Sequence, residues 1–181
     1  MSAFDSFGTA LDETPENINF LSPLIFKFQV KKTPTLNFYV QNVNLPGMHL
    51  QQSEFPNPLV ATATPGDHIL YDDLMINFKV NEDFTNWLEI HNWIIGHGFP
   101  KNFGQHAALT NPAVPLGEGL KSDVSLIVMN SSRIPKYNVV FHEAFPISIS
   151  SLIFDTTRSR DDYIDAAATF RYDYYTFEEV V

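Results

Sequence analysis

Residues Asp73–Ile95, DLMINFKVNEDFTNWLEIHNWII, change their hydrophobic period partway along. Leu74, Ile76, Phe78 and Val80 alternate with Asp73, Asn77 and Lys79, the pattern of a strand with one buried face. From Phe84 the period lengthens: Phe84, Trp87, Leu88, His91, Ile94 and Ile95 recur at the spacing of one helix face. The spacing predicts a helix over about residues 82–95, capped by Asn81 or Asp83 and ended by Gly96 or Gly98. Ile90 and Trp93 widen its apolar side, so more than one neighbour is expected to cover it.

Working outward, the alternation returns on both sides. Leu24, Phe26, Phe28 and Val30 form one apolar face opposite Lys27, Gln29 and Lys31. Leu36, Phe38 and Val40 repeat the pattern after Pro34, which predicts a hairpin turning near Pro34 and stopped by Pro46-Gly47. Downstream, Val124–Met129 and Tyr137–Glu143 read as strands joined by a turn at Asn130–Pro135. Pro146 introduces Ile147, Ile149 and Phe154, and Ala166, Ala168, Phe170, Tyr172 and Tyr174 close the chain on one face. Two stretches lack a period. Met48–Tyr71 holds Pro56, Pro58, Pro65 and Gly66 and reads as a long loop, and Phe99–Gly119 reads as irregular. About seven strands and one helix without a βαβ rhythm predict a mainly β fold, an antiparallel sandwich or barrel carrying that helix. Residues 1–23 read as an N-terminal arm and 24–181 as one domain with a long loop at 48–70.

The formal charge of -10, from 11 Lys and Arg against 21 Asp and Glu, argues against a surface that binds phosphates by releasing counterions. It is compatible with a wall along which a duplex passes without adhering. There is no Cys, which excludes disulfides and Cys-ligated zinc. The first twenty residues carry acids and no base, so no export signal is predicted, and no apolar run approaches the ~20 residues that span a bilayer. No membrane association is expected.

Six histidines, His49, His68, His91, His97, His106 and His142, show no metal-ligand spacing. Asp72-Asp73 and Asp161-Asp162 are adjacent pairs, which on a strand point to opposite faces. No nucleophile elbow, P-loop or dinucleotide fingerprint occurs, so no catalytic, cofactor or metal residues are assigned and an enzyme is not expected. The aromatic alternation at Phe170, Tyr172 and Tyr174 lacks interleaved Lys and Arg, which a single-strand-binding platform needs.

Several motifs in order resemble the tail tube protein family of contractile-tailed, T-even-like bacteriophages. A strand runs into Leu45-Pro46-Gly47, a long excursion follows, and Tyr71-Asp72-Asp73 opens the strand that leads to the helix with Trp87 and Trp93. Later Ala144-Phe145-Pro146 precedes an Ile/Leu strand and Asp155, and the chain closes on Phe170-Arg171-Tyr172-Asp173-Tyr174-Tyr175. The resemblance spans roughly Leu24–Phe177. It implies a structural virion protein whose copies join into a hexameric ring, with rings stacked into a tube that delivers double-stranded DNA. It also implies tail sheath and baseplate proteins as partners, the virion tail as location, and the host cytoplasm as the place of assembly. The alternatives are a tube initiator, terminator or baseplate hub relative at one end of the tube, a small soluble binding module, or a hydrolase of unrecognised type.

The long loop carries the residue-level expectation. Met48, Leu50, Phe55, Leu59, Val60 and Ile69 are too many apolar groups for a free solvated segment, so they are predicted to contact another subunit. The unpaired edge strands of a small sheet call for the same partner.

Overall fold

The computed structural model describes residues 18–56, 58–98, 100–110, 119–157 and 162–180. The predicted arm falls mostly outside these residues.

The period-two run around Phe78 forms β5 (Leu74–Lys79), with Leu74, Ile76 and Phe78 fully buried and Val80 half-buried beyond its end. It is central because both its edges are taken: β2 (Val40–Val43) pairs on one side and β8 (Asp165–Arg171) on the other, both antiparallel. β7 (Pro135–Ile149) is the longest strand, and the C-terminal segment runs antiparallel along it as β8 and then β9 (Tyr174–Glu179). On its other side β7 pairs with β6 (Ser122–Met129), and β6 pairs with β1 (Phe26–Val30). The sheet order is therefore β1-β6-β7-β8-β5-β2, with β9 also on β7. Where β7 passes from β9 to β8, Glu143 takes φ 57° and its N–H donates to Asp123 Oδ1 at 3.2 Å. That bend lets one strand serve both halves of the curved sheet.

The mainly antiparallel β fold expected from the sequence is the one observed. Four parts of that expectation are corrected. Leu36–Tyr39 is one turn of helix, α1, rather than a strand, so β1 and β2 do not form a hairpin through Pro34. Leu36 is buried in either geometry, but Phe38 is 84% exposed. Leu24 lies ahead of β1 and is 85% exposed, and Phe26 is only half-buried, so the inward face of β1 is Phe28 and Val30. Part of the stretch read as irregular is helix α3 (Phe103–Thr110), while Pro112 and Pro115 lie outside the described residues. At the C-terminal end the alternation breaks between β8 and β9: Tyr172 is buried and Tyr174 exposed, and Phe154 is also exposed.

Helix α2 spans Thr85–Gly98 and buries Asn86, Ile90, Trp93 and Gly96, a stripe rotated from the one counted in the sequence. Phe84 sits outside the helix at φ 63°, where its carbonyl accepts the first helical N–H, from Leu88 at 3.1 Å. Asn81 acts as the cap residue expected, its Oδ1 accepting the Asn86 N–H and its own N–H donating to Asn86 Oδ1, each at 3.3 Å, and the fully buried Asn86 side chain donates to the Lys79 carbonyl at 2.7 Å. This reciprocal pair fixes the angle between β5 and α2. Trp93 stacks toward Phe170 at 6.0 Å and donates from Nε1 to the Leu120 carbonyl at 2.8 Å, which seats the helix on the sheet. Gly96 is required there, because a Cβ would stand 2.3 Å from Leu109 Cδ1 of α3.

His97, near the end of α2, packs its ring 5.8 Å from Phe145. Burial holds its pKa below the ordinary 6.5; the Leu120 backbone opposes that shift, and the charges of Lys32 and His106 reinforce it. The unfolded chain therefore takes the proton first, and stability present above pH 6.5 is lost as pH falls through the folded-state pKa. Thermal midpoints measured between pH 7 and pH 5 should fall less steeply for His97→Gln than for the parent; identical slopes would exclude this group.

Candidate functional site

The segment read as a loop is a β-hairpin. β3 (Met48–Phe55) and β4 (Thr62–Tyr71) pair antiparallel with each other and, among the described residues, with no other strand, forming a separate two-stranded sheet. Cross-strand partners include Met48 with Tyr71, Leu50 with Ile69 and Phe55 with Thr62. Period two therefore places Met48, Leu50, Ile69 and Tyr71 on one face near the base. Phe55, Leu59 and Val60 lie at the tip. All six residues predicted as assembly contacts are exposed, from Ile69 at 51% to Leu59 at 92%. The structure brings Leu50 and Ile69 together directly and places Leu59 and Val60 apart from them, around the turn.

A register shift lies between Leu50 and Gln52, opposite a bulge that contains Gly66. A Cβ at Gly66 would stand 2.5 Å from the Gln51 carbonyl oxygen, so this close backbone crossing needs glycine. Gly66→Val should strain the distal half by about 1–3 kcal/mol. Self-association that depends on the hairpin would weaken by about ten- to a hundredfold. The unfolding midpoint of the core should barely move, since the hairpin pairs with no core strand; sedimentation and differential scanning calorimetry on the same sample check both.

Among the described residues the hairpin is anchored at its base, by residues from three distant parts of the chain. The Asp72 N–H donates to the Gly47 carbonyl at 3.0 Å, closing the two strands. Tyr172 Oη donates to the Asp72 carbonyl at 2.9 Å, and Arg171 Nη1 pairs with Asp73 Oδ1 at 2.7 Å. Asn44 Oδ1 accepts the Met75 N–H at 2.5 Å, and its amide donates to the Asp73 carbonyl at 3.2 Å. The Tyr71 ring completes the base, 5.9 Å from Tyr172 and 5.4 Å from Tyr175, which both touch Phe141. Burial raises the phenol pKa of Tyr172 and Tyr175, so both stay protonated donors in ordinary buffers. The Asp73 hydrogen bond raises that of Arg171. Leu45-Pro46-Gly47, Tyr71-Asp72-Asp73 and Arg171–Tyr175, separate in sequence, are thus the two roots of the hairpin and the collar that holds them. The sequence reading named these motifs without giving them this shared place.

The groups weighed for catalysis are occupied otherwise. Ser150 Oγ accepts the Ala167 N–H at 2.9 Å. His142 Nε2 lies 3.0 Å from Thr176 Oγ1 on the neighbouring strand, and its ring stacks on Tyr174 at 4.6 Å. His91 stacks on Trp87 at 5.0 Å. Asp161 lies outside the described residues. Among the described residues no group of three His, Cys, Asp or Glu side chains could hold a metal ion, and no helix is long and apolar enough to cross a membrane.

With this geometry in hand, the likenesses to known proteins fall in one place. A family model described as "Phage tail tube protein" matches residues 14–178. The chain is 24% identical over 149 residues to the tail tube terminator protein of Enterobacteria phage T4, covering 80% of this chain and 78% of that one. Among solved structures it is similar in fold to the tube-terminating cap of the anti-feeding prophage, with TM-score 0.61 and 14% identity over 96% of this chain and 99% of that one. It is also similar to the sheath/tube terminator of the PVC extracellular contractile injection system, with TM-score 0.58 and 16% identity over 90% and 99%. A third likeness is to the anti-feeding prophage baseplate, solved with six-fold symmetry, with TM-score 0.57 and 10% identity over 85% and 91%.

Proposed function

The chain belongs to the phage tail tube protein family, and from that premise we propose that it is a terminator, a ring-forming subunit that closes one end of a contractile tail tube. The observation that carries this reading is the β3–β4 hairpin: a rigidly rooted, apolar element left exposed by the described residues of its own chain. Burying such an element needs a second subunit. A head-to-tail contact between identical copies closes into a ring when its rotation divides a full turn. Six copies per ring are supported by the six-fold symmetry of the anti-feeding prophage baseplate, whose chain shares this fold.

Termination, rather than the repeated tube role, is supported by the T4 relative named as a tail tube terminator and by the two terminator and cap folds. A terminator ring meets the tube on one side and the sheath end on the other, so tube and sheath proteins are its partners, with baseplate proteins at the far end of the tail. It acts in the virion tail and assembles in the host cytoplasm. The chain works as a structural part, with no chemistry of its own. Its charge of -10 suits a passage for double-stranded DNA, because a negative wall repels phosphates rather than binding them.

The test is to add purified protein to tail tubes and examine them by negative-stain microscopy. The expected result is single rings alone and rings capping one tube end, with tube growth stopped. Long tubes made of this chain alone would assign it to the main tube instead. A monomer at micromolar concentration that ignores tube ends would overturn the reading.

A further inference from the structure

We propose that the seam between the two edge strands β1 and β2 is the receptor for the β3–β4 hairpin of a second copy, an assignment that rests on the self-assembly proposed above. β1 and β2 stand at opposite ends of the sheet order and, among the described residues, each has one unpaired edge. The curved sheet brings these edges around toward each other without pairing them, and Phe26 of β1 and Gln41 of β2 line the same two cavities of about 300 and 420 Å³.

Backbone parity shows which groups are open. The Ile25 carbonyl accepts from Met129 N–H at 3.3 Å, so the odd residues of β1 face β6 and the even ones face the seam. Val30 confirms this, because its N–H and carbonyl point the other way and are satisfied by the Asn37 side chain at 2.7 and 3.1 Å. Asn37 thereby closes the seam at one end. Phe26 and Phe28 direct their N–H and carbonyl groups into the remainder, an edge ready to accept a strand. Exposed Leu21, Leu24, Phe38 and Leu45 rim the opening.

Charge selects the occupant. Lys27 lines the seam, and residues 18–47 contain no acid, the reverse of the chain's overall balance. The hairpin, residues 48–71, contains Glu54 and Asp67 and no Lys or Arg. It also presents a free strand edge and apolar faces of the same kind as the seam's rim. The hairpin does not occupy its own seam: the collar at Tyr71, Tyr172 and Tyr175 roots it, and among the described residues it pairs with no other strand. The partner is therefore another copy, which adds a strand to the β1 edge and covers the rim.

The chain has no Cys, so single cysteines report cleanly. Leu24→Cys protein is mixed with Leu50→Cys, Phe55→Cys or Leu59→Cys protein and oxidised mildly, with Glu82→Cys, which lines neither cavity, as a control. Sedimentation is recorded on the same samples. The expected result is assembled particles in which a hairpin cysteine couples to Leu24→Cys and not to Glu82→Cys. Lys27→Glu should weaken assembly about tenfold, and Glu54→Lys or Asp67→Lys should recover it in part. Assembled particles with no seam coupling, or with equal coupling to Glu82→Cys, overturn the seam assignment and leave self-assembly standing. Monomers throughout, including the parent chain, overturn both.

Discussion

Replacing residues Leu50–Ile69 by a two-residue Asn-Gly turn between His49 and Leu70 should abolish ring formation while leaving the monomer folded. His49 and Leu70 are cross-strand partners, and Asn-Gly supplies the positive φ values of a tight hairpin turn, so the shortened strands can close. Everything that anchors the root is kept: the bond from Asp72 to Gly47, the Tyr172 bond to the Asp72 carbonyl and the Tyr71 ring packing. The segment removed contains Leu50, Phe55, Leu59, Val60 and Ile69, all exposed. Each is worth about 1.5–3 kcal/mol if fully buried by a partner, so their sum is of the size that holds an ordinary interface together. The thermal midpoint should stay within a few degrees of the parent, since no core contact is lost. Circular dichroism and analytical ultracentrifugation together decide the matter. A shortened protein that still forms rings removes the hairpin from assembly, and one that fails to fold makes it part of the core.

Phe78→Ala should destabilise the monomer by about 3–5 kcal/mol, the usual range for truncating a buried Phe. Phe78 is 1% exposed, and its cross-strand partners are Val40 on β2 and Ala166 on β8. Both are small and held in register by paired strands, so neither can move in to fill the space left by the ring. Phe38→Ala is the matching control, expected within about 0.5 kcal/mol of the parent because that ring faces solvent. Equilibrium urea unfolding of the two variants separates them. Equal losses would place Phe38 in the core, as the alternation of Leu36, Phe38 and Val40 suggests when read alone.

That pair of phenylalanines marks where sequence patterns stop being informative. Leu36 and Val40 are four residues apart, so they share a face on a strand and also on a turn of helix. Only Phe38 distinguishes the two, and its direction depends on α1 packing against α2, a contact between residues far apart in the chain. Helix α2 shows a related effect. Its buried stripe runs through Asn86 and Gly96, a polar residue tied to the Lys79 carbonyl and a small residue under Leu109, which no count of apolar positions includes. Counting from Phe84 put the face in the wrong place because Phe84 at φ 63° is outside the helix.

The candidate site was half legible. The exposed apolar residues of 48–71 could be named from the sequence, as could the motifs on either side of them. The hairpin itself could not, because a period of two appears only when burial sorts one face of a strand from the other. Among the described residues β3 is exposed along its length and β4 is only half-buried at a few positions, so Gln51, Gln52 and Ser53 follow one another without alternation and the prolines suggest a loop.

By itself the sequence determined the local and composition-driven features: the buried face of β5 and of β8, the presence of a helix after Val80, the acidic charge, the absence of thiol chemistry, and the family through its ordered motifs. The tertiary structure alone decided which edges stayed open and that Leu24 and Phe38 rim a seam instead of filling a core. It also gathered Pro46, Asp72 and Arg171 at one hairpin root. Periodicity records whether a residue has a buried side, and it does so within a few residues of chain. Which strand lies next to which is set by loop closure and packing over a hundred residues or more, as between Asp72 and Tyr172, and no local pattern carries that information.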